Sequence, residues 1–169
     1  MQKTQLYRQA YDILAYTTPL YGDCGELCGA ACCDCGDHEA GMYLFPGEEV
    51  MYKFAPEWLK LEQSDFEYAP GCYATIAICN GTCDRDLRPL ACRIFPLTPY
   101  FEANKLKIIM DPRAKSVCPL ARTAEIGQLN PEFVGRVEYV LRFLAYNSDI
   151  YTFVRGLSEL VDEHSKFTD

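Results

Sequence analysis

Five cysteines within twelve residues are the first feature with chemical content. They are spaced Cys24-x3-Cys28-x3-Cys32-Cys33-x-Cys35, and His38 follows three residues later. A second group reads Cys79-x3-Cys83-x8-Cys92, with Cys118-Pro119 further along and Cys72 just upstream. Thiolates donate strongly to borderline-soft ions, so Zn²⁺ and iron–sulfur clusters are the natural guests of such groups. A short loop can deliver two such ligands without long-range folding. Two distant groups meeting on metal would tie that loop to the rest of the chain, and binding energy would become folding energy. Ten cysteines also suffice for two sites, for example one built mainly from each group. Those left over read as small buried hydrophobes, a role that suits Cys72 because it lies outside the tight spacings.

Other side chains near these groups carry two readings each. His38 could complete a Cys₃His site or stand as a solvated loop histidine. Arg88 and Arg93 flank Cys92, where a positive charge would favour thiolate or balance an anionic cofactor. Equally, they could pair with Asp84, Asp86 or Glu102. Glu48 and Glu49 follow Pro46-Gly47 and read as the acidic start of a helix rather than as an acid/base pair. His164 closes the last helix, where a cation suits the helix dipole.

Composition narrows the setting. At 169 residues the chain suits a single domain with an ordinary hydrophobic core. Its 10 cysteines fall short of the roughly 8–10% typical of small disulfide scaffolds. The first twenty residues contain no apolar run of signal-peptide or membrane-span length, which points to a reducing, cytoplasmic compartment where thiols persist. Five disulfides are the alternative. With 16 basic and 24 acidic residues the formal charge is −8, and no basic run exists to neutralise phosphates. Binding to nucleic acid is therefore disfavoured.

The elements that must position the cysteines follow from periodicity. Leu6, Ala10, Ile13 and Leu14 mark an amphipathic helix over 3–16, stopping before Thr18-Pro19. Residues 21–41 lack apolar periodicity and read as an irregular loop in need of an organiser. Pro46–Glu49 opens a short helix. Two short strands flank a turn at Pro70-Gly71, and a second hairpin spans Ile94–Tyr100 and Leu106–Met110, turning near Asn104-Lys105. Asn130 and Pro131 start a helix with Phe133, Val134, Val137, Leu141 and Leu144 on one face. A last helix from Ser148 buries Ile150, Val154, Leu157 and Val161. These two are expected to form a helical hairpin over 130–164 that covers the sheets. The expectation is one α+β domain over 1–169, with small antiparallel sheets, an N-terminal helix and a C-terminal α-hairpin, organised around cysteine metal sites.

At this point the chain resembles a zinc- or iron-chelating cysteine-cluster family, the YkgJ-type CxxCxxCC proteins, which includes the flagellin lysine N-methylases. The resemblance rests on Cys24, Cys28 and the Cys32-Cys33 pair, then on Arg88, Pro89, Cys92, Arg93, Phe95 and Pro96, with Cys118-Pro119 a further match. It covers roughly residues 21–120. The chain departs in its x3 spacings where the family has x2, in the additional Cys35 and in the short Cys79–Cys83 interval. The resemblance implies cysteine-ligated zinc, iron or a [4Fe-4S] cluster.

No GxxxxGK[ST] or strand-borne GxGxxG motif supports nucleotide binding, and no glycine loop for S-adenosylmethionine is evident. Cys24-x3-Cys28-x3-Cys32 is one residue longer than the Cys-x3-Cys-x2-Cys of radical S-adenosylmethionine enzymes, and the chain lacks the repeated β/α units of their barrel. The expectation is a metal-binding protein with Cys24, Cys28, Cys32, Cys33, Cys35, Cys79, Cys83, Cys92 and Cys118 as candidate ligands and Arg88 and Arg93 beside the cofactor. The alternative is an enzyme or enzyme subunit with a catalytic or redox metal centre related to protein-lysine methylation. The metal ion is the one partner foreseen, with neither nucleic acid nor membrane.

Overall fold

The structure, a computed structural model, describes residues 2–34 and 40–168. Cys35 and His38, both raised above as candidate ligands, lie outside the described residues.

Helix α1 (Lys3–Leu14) buries Leu6, Tyr7, Ala10, Tyr11 and Leu14. Two tyrosines therefore join the apolar stripe, while Ile13 sits at its partly buried edge. Tyrosine can occupy such a stripe when its hydroxyl finds a partner. Tyr7 donates to the Pro46 carbonyl at 3.0 Å. The cysteine-rich stretch is not wholly irregular. It contains helix α2 (Cys24–Cys28) and a 3₁₀ turn at Ala31–Cys33, then enters strand β1 (Ala40–Tyr43). Neither helical piece has a fully buried residue, so core packing does little to hold it.

Strands β2 (Leu59–Ala69) and β3 (Cys72–Cys79) form the hairpin expected at Pro70-Gly71, with Gly71 at φ 74°. That left-handed angle is the conformation glycine adopts without steric cost. Strand β1 pairs antiparallel on the other side of β3, placing Ala40 opposite Cys79. Strands β4 (Leu97–Glu102) and β5 (Lys105–Met110) form a separate two-stranded sheet turning at Ala103-Asn104. The expected strand start at Ile94 is corrected, because Leu90–Ile94 is a short helix, α3. Its first N–H, on Leu90, is taken by the distant Glu48 carboxylate at 2.7 Å, a cap that local sequence cannot display.

After α4 (Pro119–Thr123) come α5 (Pro131–Leu144) and α6 (Ser148–Thr168). Asn130 caps α5 by accepting from the Glu132 N–H at 3.0 Å, as its sequence position suggests. The two helices are joined by three residues, but their closest backbone packing is with other elements. Helix α5 lies on α1, helped by Arg136, which donates to the Ile13 carbonyl at 2.8 Å. Helix α6 lies across β2 and β4. All three long helices share one core with Phe45, Leu90, Ile94 and Leu97. The architecture is α+β with small antiparallel sheets. Among the described residues no helix is long and apolar enough to cross a membrane.

The α6–β2 crossing depends on one buried glycine. A Cβ on Gly156 would lie 2.5 Å from the Tyr68 carbonyl oxygen and 2.8 Å from its Cα. Alanine favours helix by roughly 1 kcal/mol over glycine, but a backbone clash of this kind costs about 1–3 kcal/mol. Gly156→Ala is therefore expected to lower the urea midpoint. An unchanged or raised midpoint would contradict this close packing.

Candidate functional site

A cavity of about 660 Å³ opens between the end of α1, the cysteine-rich stretch, α3 and α4. Six of the nine described cysteines line it: Cys24, Cys28, Cys32, Cys33, Cys92 and Cys118. Each wall has a local cause. Asp23 caps α2 by accepting from the Gly25 N–H at 2.9 Å, and one helical turn then sets Cys24 and Cys28 on the same face. Gly29 and Ala30 adopt left-handed φ values of 62° and 55°, which reverse the chain so that the following turn brings Cys32 and Cys33 back to the cavity. Cys92 rides on α3, and Cys118 immediately precedes Pro119 at the start of α4.

Four arginines share the cavity wall: Arg85, Arg88, Arg93 and Arg122. Arg88 donates to the Cys83 sulfur at 3.5 Å. Arg85 pairs with Asp23 at 3.4 Å, an exposed link between the two cysteine-bearing segments. Arg93, 7% exposed, makes none of its foreseen carboxylate pairings with Asp84, Asp86 or Glu102. It donates to the backbone carbonyls of Arg88 at 2.7 Å, Arg85 at 3.0 Å and Asp86 at 2.9 Å. Its guanidinium also stacks 4.1 Å from the centre of the Tyr11 ring. Arg93 thus clamps the 85–88 turn onto α1, in the manner available to a planar, five-donor group. Glu102 pairs with Lys107 instead.

The thiols act on one another's protonation. Burial pushes the Cys92 thiol up, and the neighbouring Cys79, Cys33 and Cys83 reinforce it against Arg88. Burial likewise raises Cys24, with Cys28, Asp23 and Cys118 adding to the effect. The sulfurs of Cys32 and Cys33 lie 4.0 Å apart. Their hydrogen bond pulls Cys33 down to about 6 and holds Cys32 above the ordinary thiol range. A cation in the cavity would reverse these raised values, since opposite charge favours thiolate.

The structure therefore brings together most of the cysteines singled out in the sequence. Cys79 and Cys83 do not line the cavity, although both act electrostatically on Cys92. Cys72 is exposed at the opposite end of β3 from Cys79, not the buried hydrophobe its sequence setting suggested. Among the described residues the thiols form no disulfides, and no three Cys, His, Asp or Glu side chains already converge as a metal-ligand set. The donor chemistry nevertheless fits a soft or borderline ion, because sulfur is the predominant potential ligand on the wall.

Sequence reasoning missed the polar centre beneath the site. Glu48 begins a 3₁₀ helix, as its acidic-start reading implies, yet it is 0% exposed. It accepts from the Tyr11 hydroxyl at 2.6 Å, the Leu90 N–H at 2.7 Å and the Phe45 N–H at 2.9 Å. Tyr11 also meets the Tyr52 hydroxyl at 2.8 Å, and Tyr52 donates to the Leu87 carbonyl at 3.0 Å. Thr17 was missed as well. Its hydroxyl is buried without a partner among the described residues, and the residue lines the cavity.

Comparison with protein families, with curated proteins and with solved structures finds no match to this chain.

Burial holds the Glu48 carboxyl above the usual carboxylate range, against the pull of Tyr11, Leu90, Phe45 and Arg93. Its contribution to stability is thus full below the ordinary value of 4.5 and falls as pH rises through the raised one. Glu48→Gln should flatten the pH dependence of the melting temperature above pH 4.5, and an unaltered profile would contradict this account. Glu48→Ala strands three buried donors and should cost about 3–5 kcal/mol by urea titration.

Proposed function

We propose that the protein binds metal through cysteine thiolates, as Zn²⁺ or as an iron–sulfur cluster. The observation that supports this most is the gathering of six cysteines, drawn from three separate stretches of chain, around one cavity. Core packing gives little reason for that gathering, since no residue of α2 or of the turn after it is fully buried. Four arginines on the same wall would offset the charge of a thiolate-ligated centre. The resemblance to the chelating cysteine-cluster family points the same way. When bound, the metal would supply charge and cross-linking, drawing the 24–33 segment onto α3 and α4. The chain's own part is to hold the thiols on two walls and to fix one wall through Arg93.

Anaerobic purification with elemental analysis and a visible spectrum tests this reading. Colourless protein with stoichiometric zinc would exclude the cluster, and a broad band near 400 nm with matching iron would exclude zinc. Metal-free protein that takes up neither overturns the proposal. Cys28→Ser and Cys92→Ser are each expected to lower metal content and melting temperature together. Unchanged values would remove those two residues from the ligand set.

A second reading, an enzyme or enzyme subunit, has its own support. The cavity is of small-molecule size, and Leu14, Leu20, Phe95 and Leu120 give it an apolar side next to the partnerless Thr17 hydroxyl. A catalytic centre keeps a coordination position open, whereas a structural zinc is closed by four protein ligands. X-ray absorption of the zinc-loaded chain distinguishes them, and four sulfurs with no exchangeable ligand would overturn the catalytic reading.

A further inference from the structure

Resting on the small-molecule reading of the cavity given above, we infer that its ligand is an organic oxyanion, an apolar body with one carboxylate or phosphate group, whose head is held by Arg88 and Arg122.

Charge sets this cavity apart from the rest of the chain. The whole sequence carries a formal charge of −8. The described residues of the cavity wall nevertheless include four arginines against two acids, Asp23 and Glu26. Basic groups gathered on a concave wall focus the field inward and raise the local concentration of anions.

The four arginines differ in what they already hold. Arg93 commits its guanidinium to three backbone carbonyls. Arg85 is paired with Asp23. Arg88 is half-buried and uses one terminal nitrogen, on the Cys83 sulfur at 3.5 Å. Sulfur is a weak acceptor, and the remaining donors of Arg88 meet no acceptor among the described residues. Arg122 is exposed, and its guanidinium has neither hydrogen bond nor ion pair among the described residues. Balancing the charge of a thiolate centre requires only nearness. Open N–H donors on a concave wall are a more specific provision, because the planar fork of arginine matches carboxylate and phosphate oxygens.

The surroundings supply the rest of such a site. Arg88 follows the 3₁₀ turn Arg85–Leu87, and Arg122 belongs to α4, so the two come from separate pieces of chain. Arg93 grips the carbonyls of Arg85, Asp86 and Arg88 itself, which fixes the backbone beneath one of the two anchors. An anchor fixed in advance loses less freedom when the ligand arrives. Thr17 lines the same cavity with a buried hydroxyl that the fold leaves without a partner. Buried polar groups are normally hydrogen-bonded, so an unmet one on a cavity wall points to an occupant. Leu14, Leu20, Phe95 and Leu120 provide an apolar side for the body of the molecule. A mainly apolar wall with a few polar anchors, around about 660 Å³, is the usual make-up of a small-molecule site.

The test titrates the full isotope-labelled chain, as purified, with phenylbutyrate, phenethyl phosphate and the uncharged phenylbutanamide, followed by backbone N–H signals in NMR. At least one of the two anions should shift Thr17, Arg88 and Arg122 saturably and bind about tenfold more tightly than the uncharged probe. The tighter anion assigns the head group as carboxylate or phosphate. Arg122→Gln should weaken that anion about tenfold at an unchanged melting temperature, since Arg122 supports no other side chain. Arg88→Lys keeps the charge but removes the fork, and should weaken it as well. Arg142→Gln, away from the cavity, should bind as the parent chain does. Equal binding of anions and uncharged probe overturns the oxyanion proposal and leaves the small-molecule reading standing. Saturable binding at another face, with the cavity signals unmoved, also overturns the proposal. No saturable binding by any of the three overturns both. Elemental analysis of the same sample judges the metal reading separately.

Discussion

A carboxylate taken wholly out of water must be met by donors on all sides, and the packing around Glu48 is arranged to supply them. Its two oxygens receive a hydroxyl from α1, an N–H from its own segment at Phe45 and the leading N–H of α3. Three pieces of chain far apart in sequence are thereby placed relative to one another by one side chain. Removing an acceptor from such a centre is more damaging than its net contribution suggests, because each donor left behind keeps its desolvation cost. Tyr11 carries the arrangement outward, since it touches Glu48 and Tyr52 through its hydroxyl and Arg93 through its ring. Arg93 in turn grips three carbonyls of the turn that precedes Cys92. The position of one cavity wall thus traces back to a buried charge in the core.

The opposite wall is built on a different basis. From Asp23 to Cys33 the chain has caps, two left-handed residues and an ion pair to Arg85, but no buried apolar residue. Exposed ion pairs of that kind contribute about 0–1 kcal/mol, little against the entropy of ordering the 23–33 segment. Leu27, 78% exposed, does not compensate. One wall is therefore fixed by the core and the other is held by local turns. A ligand joining the two would gain most of its structural effect on the second.

How far this was legible in the sequence differs by element. Asn130-Pro131 and Pro70-Gly71 carry their geometry in their own chemistry, a capping amide before a fixed φ and a glycine where φ must be positive, so α5 and the β2–β3 hairpin could be read locally. The gathering of cysteines was legible as spacing. Helix α3 was not, because its cap is Glu48, forty-two residues away. The burial of Glu48 and of Arg93 was not legible for the same reason, because a short sequence window does not show it. The partner that makes burial tolerable comes from another element. For the C-terminal helices, the apolar faces of α5 and α6 were visible, but the elements they pack on most closely, α1 and the strands, were not.

The electrostatics of the site bear on why so many thiols can stand together at all. Burial and the neighbouring thiols push Cys24 and Cys92 toward the neutral form when no cation is near. Cys33 differs, lowered by its hydrogen bond to Cys32 and by Arg88, and it would offer the first thiolate to the proposed ion. Each later deprotonation is favoured by the cation already present, while the arginines limit the growing negative charge. Loading of the proposed centre would then release protons, and the thiolates it created would bind the cysteine-bearing segments to the ion. Thiolates that would repel one another without a cation would become the cross-links of the proposed centre.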